Sequence, residues 1–137
     1  MRAQDHDIAD AEAFLRATLA VCPSDFVLEL EGSVPVEVAI ALTPFAMRPK
    51  GLLGWLQPTR YSTPVASAAA ELNVICTHID SMRLTHFALR SSDTRVTWFE
   101  AFHFGDDRTI FVHDDFPETL AQRLRDQGIA KLSEAEQ

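Results

Sequence analysis

Cysteine is scarce in this 137-residue chain, and no apolar run is long enough to cross a bilayer. The only two cysteines, Cys22 and Cys76, lack metal-type spacing, which excludes a cysteine-based zinc scaffold. A reduced protein is the simplest expectation, with a disulfide between the two thiols as the alternative. The first seven residues contain no apolar core of a signal peptide, so we expect a cytoplasmic protein without one.

The short motifs that identify common enzyme classes are also missing. The chain has no Gly-rich phosphate loop, no Gly-x-Ser-x-Gly and no Cys-x-x-Cys, and it shows no internal repeat. The sequence therefore gives no reason to expect a cofactor.

Basic residues are too few to balance the acidic ones. Twelve Lys and Arg against twenty Asp and Glu give a formal net charge of −8. This charge disfavours non-specific nucleic-acid binding, which depends on cations against phosphate, and favours solubility and a basic partner. The length and the 47% apolar content fit a single domain over residues 1–137 with one core.

Hydrophobic periodicity predicts an α+β fold in which helices pack on one curved antiparallel sheet. Apolar residues recur at helical spacing from Ile8 to Leu19, and Gly128 followed by Ile129 predicts a helix cap near the end of the chain. The polar tail Ser133–Gln137 is expected to fray. The predicted elements are a helix over Asp7–Val21, a hairpin of Phe26–Glu31 with Val34–Leu42 around Gly32-Ser33, a short helix over Val65–Leu72 and an amphipathic helix over Phe116–Gln127.

Residues 44–64 differ in composition from the rest of the chain. Four prolines and two glycines predict an irregular loop, with room for one short helix at Leu52–Gln57. The loop carries three basic residues and no acidic one, and aromatic and Arg side chains are enriched at binding hot spots. The candidate partner-contact residues are Arg48, Trp55, Arg60 and Tyr61. The alternative is a cover loop whose apolar residues pack over the sheet.

Residues 72–114 are rich in Val, Ile, Thr, Phe and Trp, which favours strands. The short polar breaks between the runs can join only antiparallel neighbours. The sequence therefore predicts a meander of the strands Leu72–Asp80, Arg83–Arg90, Arg95–Phe104 and Arg108–Asp114.

Counting outward from tight turns in this meander predicts one polar row across the sheet, formed by His78, Thr85, Glu100 and His113. Glu100 and His113 are the candidate catalytic dyad, since a carboxylate can orient an imidazole as a base. His78, Thr85 and Trp98 are expected to line the pocket, on a face that otherwise carries apolar residues such as Phe87. We expect no metal, because His78 and His113 would lie roughly 14 Å apart in a flat sheet. The alternative is an ordinary polar row whose groups satisfy one another.

Two stretches resemble the NTF2-like, SnoaL-like superfamily of cystatin-related α+β proteins. They are the opening Ala11-Glu12-Ala13-Phe14-Leu15 and the closing segment from Phe102 to Ile110. The resemblance implies a curved sheet that wraps a helix around an apolar pocket, with members that are isomerases, hydrolases or cyclases and others that only bind partners. The predicted C-terminal helix departs from the usual ending of that family. Small acidic type III secretion chaperones are a second resemblance at the level of fold.

Two classes of function follow from these observations. The first is a small acidic protein that binds another protein as an inhibitor, immunity protein or adaptor, with a homodimer as a further option. The second is a pocket enzyme or ligand-binding protein of NTF2-like kind that uses the Glu100–His113 dyad. Neither class requires a nucleic acid or a membrane as partner.

Overall fold

The computed structural model describes residues 4–47, 59–105 and 108–131, with the backbone alone at residues 4–6. These residues form four α-helices and eight strands, which confirms the predicted α+β class. The helices are α1 (Ala11–Val21), α2 (Val36–Ala41), α3 (Ala69–His78) and α4 (Glu118–Asp126). The strands are β1 (Gln4–Ile8), β2 (Phe26–Ser33), β3 (Ala46–Met47), β4 (Arg60–Pro64), β5 (Arg83–Ser91), β6 (Thr97–Phe104), β7 (Thr109–Val112) and β8 (Ala130–Lys131).

All eight strands belong to one antiparallel sheet in the order β3-β4-β2-β5-β6-β7-β1-β8. Within the described residues the sheet is open, with the two-residue strands β3 and β8 at its edges. The longest strands, β2, β5 and β6, lie side by side near its middle and form a face of three long paired strands.

The core lies between one face of the sheet and the helices. Leu28 of β2, Phe87 of β5 and Phe99 of β6 are buried on that face. Phe14 of α1 contacts the ring of Phe99 edge-on at 5.3 Å and stacks on Phe116 at 6.4 Å. Helices α3 and α4 contact α1, and α2 contacts α3, so the helices share this side. The opposite face of the central strands is consequently left partly exposed.

The segment Leu72–Asp80 is helical, so the prediction of a first meander strand there is wrong. Leu72, Ile75, Cys76 and Ile79 are all buried, which is the i, i+3, i+4, i+7 pattern of a helix that packs one face on a core. The β-branched residues hid this period because they also favour strands. His78 therefore lies in the last turn of α3 and is not part of a polar row in the sheet.

The predicted hairpin of Phe26–Glu31 with Val34–Leu42 is also wrong in its second half. Residues 36–41 form α2, and β2 pairs instead with β4 and β5. Alternating Val and Ile residues suggested a strand, yet Val38 and Leu42 are buried four residues apart, whereas Ile40 is 70% exposed. Burial at that spacing is the signature of a helix.

The remaining helices agree more closely with the sequence. Helix α1 begins at Ala11, later than predicted, because residues 4–8 form β1 and the side chain of Asp10 caps the helix by accepting from Ala13 N at 3.0 Å. Helix α4 ends at the predicted cap, where Gly128 adopts a φ of 68° and Ile129 N donates to Leu124 O.

Part of the proline-rich segment is regular. Residues 43–45 form a 3-10 turn, and β3 and β4 follow, so the expectation of an irregular loop fails at Arg60–Pro64. Several predictions lie outside the described residues: Arg48, Trp55, the helix at Leu52–Gln57, the turn at Asp106-Asp107 and the tail Ser133–Gln137. None of the helices in the described ranges is long and apolar enough to cross a bilayer.

Candidate functional site

Two rows of side chains build the exposed face of the central strands. Glu29 of β2 lies opposite Ala88 of β5, which lies opposite Glu100 of β6. In the adjacent row Glu31 lies opposite His86, and His86 opposite Phe102. Side chains directly opposite share a sheet face, so these strands bring acidic, imidazole and aromatic groups together. We call this surface the charged sheet face and define it by Glu29, Glu31, Arg60, His86, Arg90, Glu100 and Phe102.

The structure brings Glu100 and His113 together, although in another register than predicted. His113 Nε2 lies 3.1 Å from Glu100 Oε1. Glu100 is paired with Phe111, and the backbone of His113 donates instead to Trp98 O at 3.0 Å. This register differs from the predicted one by two residues. Because side chains alternate with a period of two, an even slip leaves both side chains on one face.

The predicted pairing of Thr85 with Glu100 across β5 and β6 is wrong. Glu100 pairs with Ala88, three residues from the predicted partner Thr85, and an odd slip exchanges the faces. Phe87 therefore lies in the core and not beside Glu100. Thr85 is exposed and donates its hydroxyl to Glu31 O at 3.1 Å.

Arg90 joins the two carboxylates of the first row. Its Nε lies 2.7 Å from Glu29 Oε1 and its Nη2 lies 3.6 Å from Glu100 Oε2. The Nε and Oε1 atoms are buried and close, yet they do not meet the geometry of a hydrogen bond, so we treat this contact as ionic. His86 Nε2 lies 3.7 Å from the same Glu100 oxygen as Arg90. Glu100 thus has a guanidinium and two imidazoles around one carboxylate.

A second ion pair lies at the side of this cluster. Arg60 donates from Nε and Nη2 to the same oxygen of Glu31, Oε2, at 2.8 and 2.6 Å. The Arg60 side chain is about half exposed, and exposed pairs contribute only about 0–1 kcal/mol to stability. The charged sheet face therefore combines a firm inner cluster around Arg90 with an outer pair that can rearrange at small cost.

A depression of about 410 Å³ opens on this face. Its lining residues are Glu29, Glu31, Arg60, Thr85, His86, Arg90 and Phe102. Phe102 is 51% exposed, and its ring lies 5.4 Å from that of His86 and 6.4 Å from that of Phe111. A half-exposed aromatic ring beside ionic groups is a typical contact point for a ligand or a partner.

Several predicted site residues lie elsewhere. Trp98 is buried against Phe26 and Phe116, at ring distances of 5.2 and 5.9 Å, and does not line the depression. Tyr61 is buried too, so the expectation of an exposed tyrosine is wrong, whereas its neighbour Arg60 lies on the charged sheet face. Alternation along β4 explains this difference, because adjacent residues of a strand point to opposite faces.

Sequence reasoning missed Glu29, Glu31, Arg90 and Phe102 as site residues. A usable signal was present in β2, where Glu29 and Glu31 alternate with the buried Leu28 and Leu30. That pattern is typical of a strand with one solvent-exposed face. It was obscured because β2 was paired with a segment that turned out to be helical.

The two cysteines have no part in this face. Both are free thiols, and burial raises the pKa of Cys22 to about 12 and that of Cys76 to about 11. Protonated thiols are poor nucleophiles and poor metal ligands at neutral pH. Across the described ranges, no three His, Cys, Asp or Glu side chains are arranged to hold a metal ion.

No protein-family model, curated protein or solved structure matches the chain.

Proposed function

We propose that the protein binds another protein through the charged sheet face, as an inhibitor, immunity protein or adaptor in the cytoplasm. The observation that carries this proposal is Phe102, which is half exposed near the end of the long strand β6 and lies beside His86. Aromatic and Arg side chains dominate the binding energy of protein interfaces, and both are present on this face.

Binding is favoured over catalysis by the way the dyad is placed. His113 is only 8% exposed, and the Nε2 atom that could act as a base is directed at Glu100. Neither residue lines the depression. A general base must reach the proton that it removes. The dyad is therefore better placed to hold the carboxylate of Glu100 in position for the rest of the face.

A capture experiment tests the proposed function. The wild-type protein and a Phe102→Asp variant are immobilised and exposed to lysate of the native host, with Val36→Asp as the matched control. Val36 is 66% exposed at the first position of α2, on the helical side, so it receives the same charge change away from the sheet face. We expect one protein to be retained by the wild type and the control and lost from Phe102→Asp. Equal retention by both variants, or no retained protein, would contradict the proposal.

Sedimentation equilibrium of the purified protein decides whether the partner is a second copy. A monomer at micromolar concentration agrees with a partner of different sequence. A dimer that Phe102→Asp dissociates would place a homodimer on the charged sheet face instead.

The contact of 3.1 Å between His113 and Glu100 supports a second candidate, a ligand-binding or catalytic protein of NTF2-like kind. In that case His113→Ala abolishes ligand binding or turnover while the thermal midpoint of unfolding changes little. Loss of folding without a specific functional defect would mean that the pair serves packing. The resemblance to the NTF2-like superfamily stays a prediction.

A further inference from the structure

We propose that the partner inserts an arginine side chain into the depression of the charged sheet face, between Phe102 and Glu31. This inference rests on the proposed function and names the chemistry that the face recognises. It goes further because it commits to one cationic group and to the two residues that receive it.

Charge complementarity is the first support. Glu29 and Glu31 line the depression together with Arg60 and Arg90, so its two carboxylates and two guanidinium groups balance, and Glu100 adds one negative charge beside it. The whole chain has a formal charge of −8, which draws a basic partner toward the molecule before contact. An acidic group on a partner would be repelled by this overall charge.

The order of side chains across the strands is the second support. Glu31, His86 and Phe102 lie opposite one another on β2, β5 and β6. Neighbouring strands lie about 4.8 Å apart, so the backbones at Glu31 and Phe102 are about 10 Å apart, with His86 between them. A guanidinium is planar, stacks on aromatic faces and binds a carboxylate through its N–H groups. A guanidinium can therefore contact both the carboxylate of Glu31 and the ring of Phe102, whereas an aliphatic side chain can contact only the ring.

The outer ion pair makes room for such a group at small cost. Both donors of Arg60 use Oε2 of Glu31, and the Arg60 side chain is 53% exposed. The incoming guanidinium approaches the same carboxylate at Oε1, and Arg60 remains hydrated when it moves aside. The inner pair of Arg90 with Glu29 stays in place and fixes the wall of the depression.

The test is an NMR titration of the ¹⁵N-labelled full chain with N-acetyl-arginine amide up to tens of millimolar. We expect saturable shifts at the backbone amides of His86 and Phe102, and about a two- to fivefold weaker affinity in each of the variants Glu31→Gln and Phe102→Leu. Glu37→Gln is the matched control, since it removes the same charge from an exposed position of α2 and should leave the affinity unchanged. N-acetyl-glutamate amide should cause no saturable shift.

Three results would overturn the inference: no saturable shift with the arginine compound, an equal response to the glutamate compound, or an unchanged affinity in Glu31→Gln. Retention of a partner that depends on Phe102, together with one of these results, would remove the arginine chemistry and leave the proposed function standing. Saturable arginine binding without any Phe102-dependent partner would remove the proposed function and leave the arginine site.

Discussion

Glu100 is the residue at which the contacts of the site converge. Its two oxygens lie within 3.7 Å of nitrogen atoms from His86 and Arg90, both on β5, and from His113, which directly follows β7. Ala88, which has a small side chain, lies between Glu29 and Glu100, and Arg90 on the same strand contacts both carboxylates. One hydrogen-bond contact and two ion-pair contacts restrict the orientation of this carboxylate, and a binding surface depends on such fixed groups.

Removing Arg90 should therefore expose the repulsion between two carboxylates. We expect Arg90→Met to lower the free energy of unfolding by about 1–3 kcal/mol, because Glu29 and Glu100 lose the cation between them. The double variant Glu29→Gln with Arg90→Met should recover part of that loss, since one of the stranded charges is gone. Urea unfolding of the wild type and the variants measures both changes. An unaffected Arg90→Met variant, or a double variant as unstable as the single one, would show that Arg90 has no such role.

The turn between β5 and β6 should make stability depend on acid. The hydroxyl of Ser91 donates to Asp93 Oδ1 at 2.6 Å, and Arg95 N donates to the same oxygen at 3.0 Å. These bonds, the first more than the second, hold the pKa of Asp93 below its ordinary value. The stabilisation is present above the ordinary carboxyl pKa and is lost as pH falls through the lower folded value.

The variant Asp93→Asn removes this titration and keeps the size of the side chain. We expect the wild type to be more stable than Asp93→Asn near pH 6, and the difference to shrink below about pH 4. Urea unfolding from pH 6 down to pH 2.5 follows the difference. A gap that stays constant over this range would exclude Asp93 as a source of the acid sensitivity.

The sequence predicted a helix correctly where the helical period of its apolar residues was clear, and incorrectly where the same residues also fitted a strand. Helix α4 and its Gly128 cap were predictable because polar and apolar residues separate cleanly around it. Helices α2 and α3 were not, since β-branched residues fit strands as well as helices and a short apolar run cannot decide between the two periods. Tertiary packing decides between helix and strand in these two segments. The set of residues that a helix buries on one face differs from the set that a strand of the same sequence would bury.

Helix α2 gives a sharp test of that distinction. Val38 and Ile40 would share one face of a strand, but on the helix Val38 is buried and Ile40 is exposed. We expect Val38→Ala to lower the free energy of unfolding by about 1–3 kcal/mol, and Ile40→Ala to change it by less than about 0.5 kcal/mol. Thermal or urea unfolding of the two variants compares them directly. Equal losses in both would favour the strand that the sequence alone suggested.

The site was predictable only in part because its residues come together through the whole sheet. The proximity of Glu100 and His113 survived an error in register because the error was even. The predicted pairing of Thr85 with Glu100 is wrong because that error was odd, although Thr85 lines the depression beside a shift in the register of β5 against β2. Glu29 and Glu31 reach the site because β2 lies between β4 and β5, an order that no local pattern encodes. No local pattern predicts the position of β1 either, because this strand pairs with β7 and β8 from the other end of the chain.

The acidic charge and the charged sheet face are the features of the whole molecule from which its function is argued. They are the basis of the proposal that the protein presents this surface to a basic partner and that Phe102 makes the main contact. Contact between Phe102 and the partner is best tested in the native host, with a probe at that one position.

Site-specific photocrosslinking is that measurement. A photoreactive phenylalanine analogue is placed at Phe102 in one version of the protein and at Val36 in another, and both are irradiated in the native host. We expect one discrete adduct with a second protein from position 102 and none from position 36. No adduct from position 102, or the same adduct from both positions, would contradict the proposal.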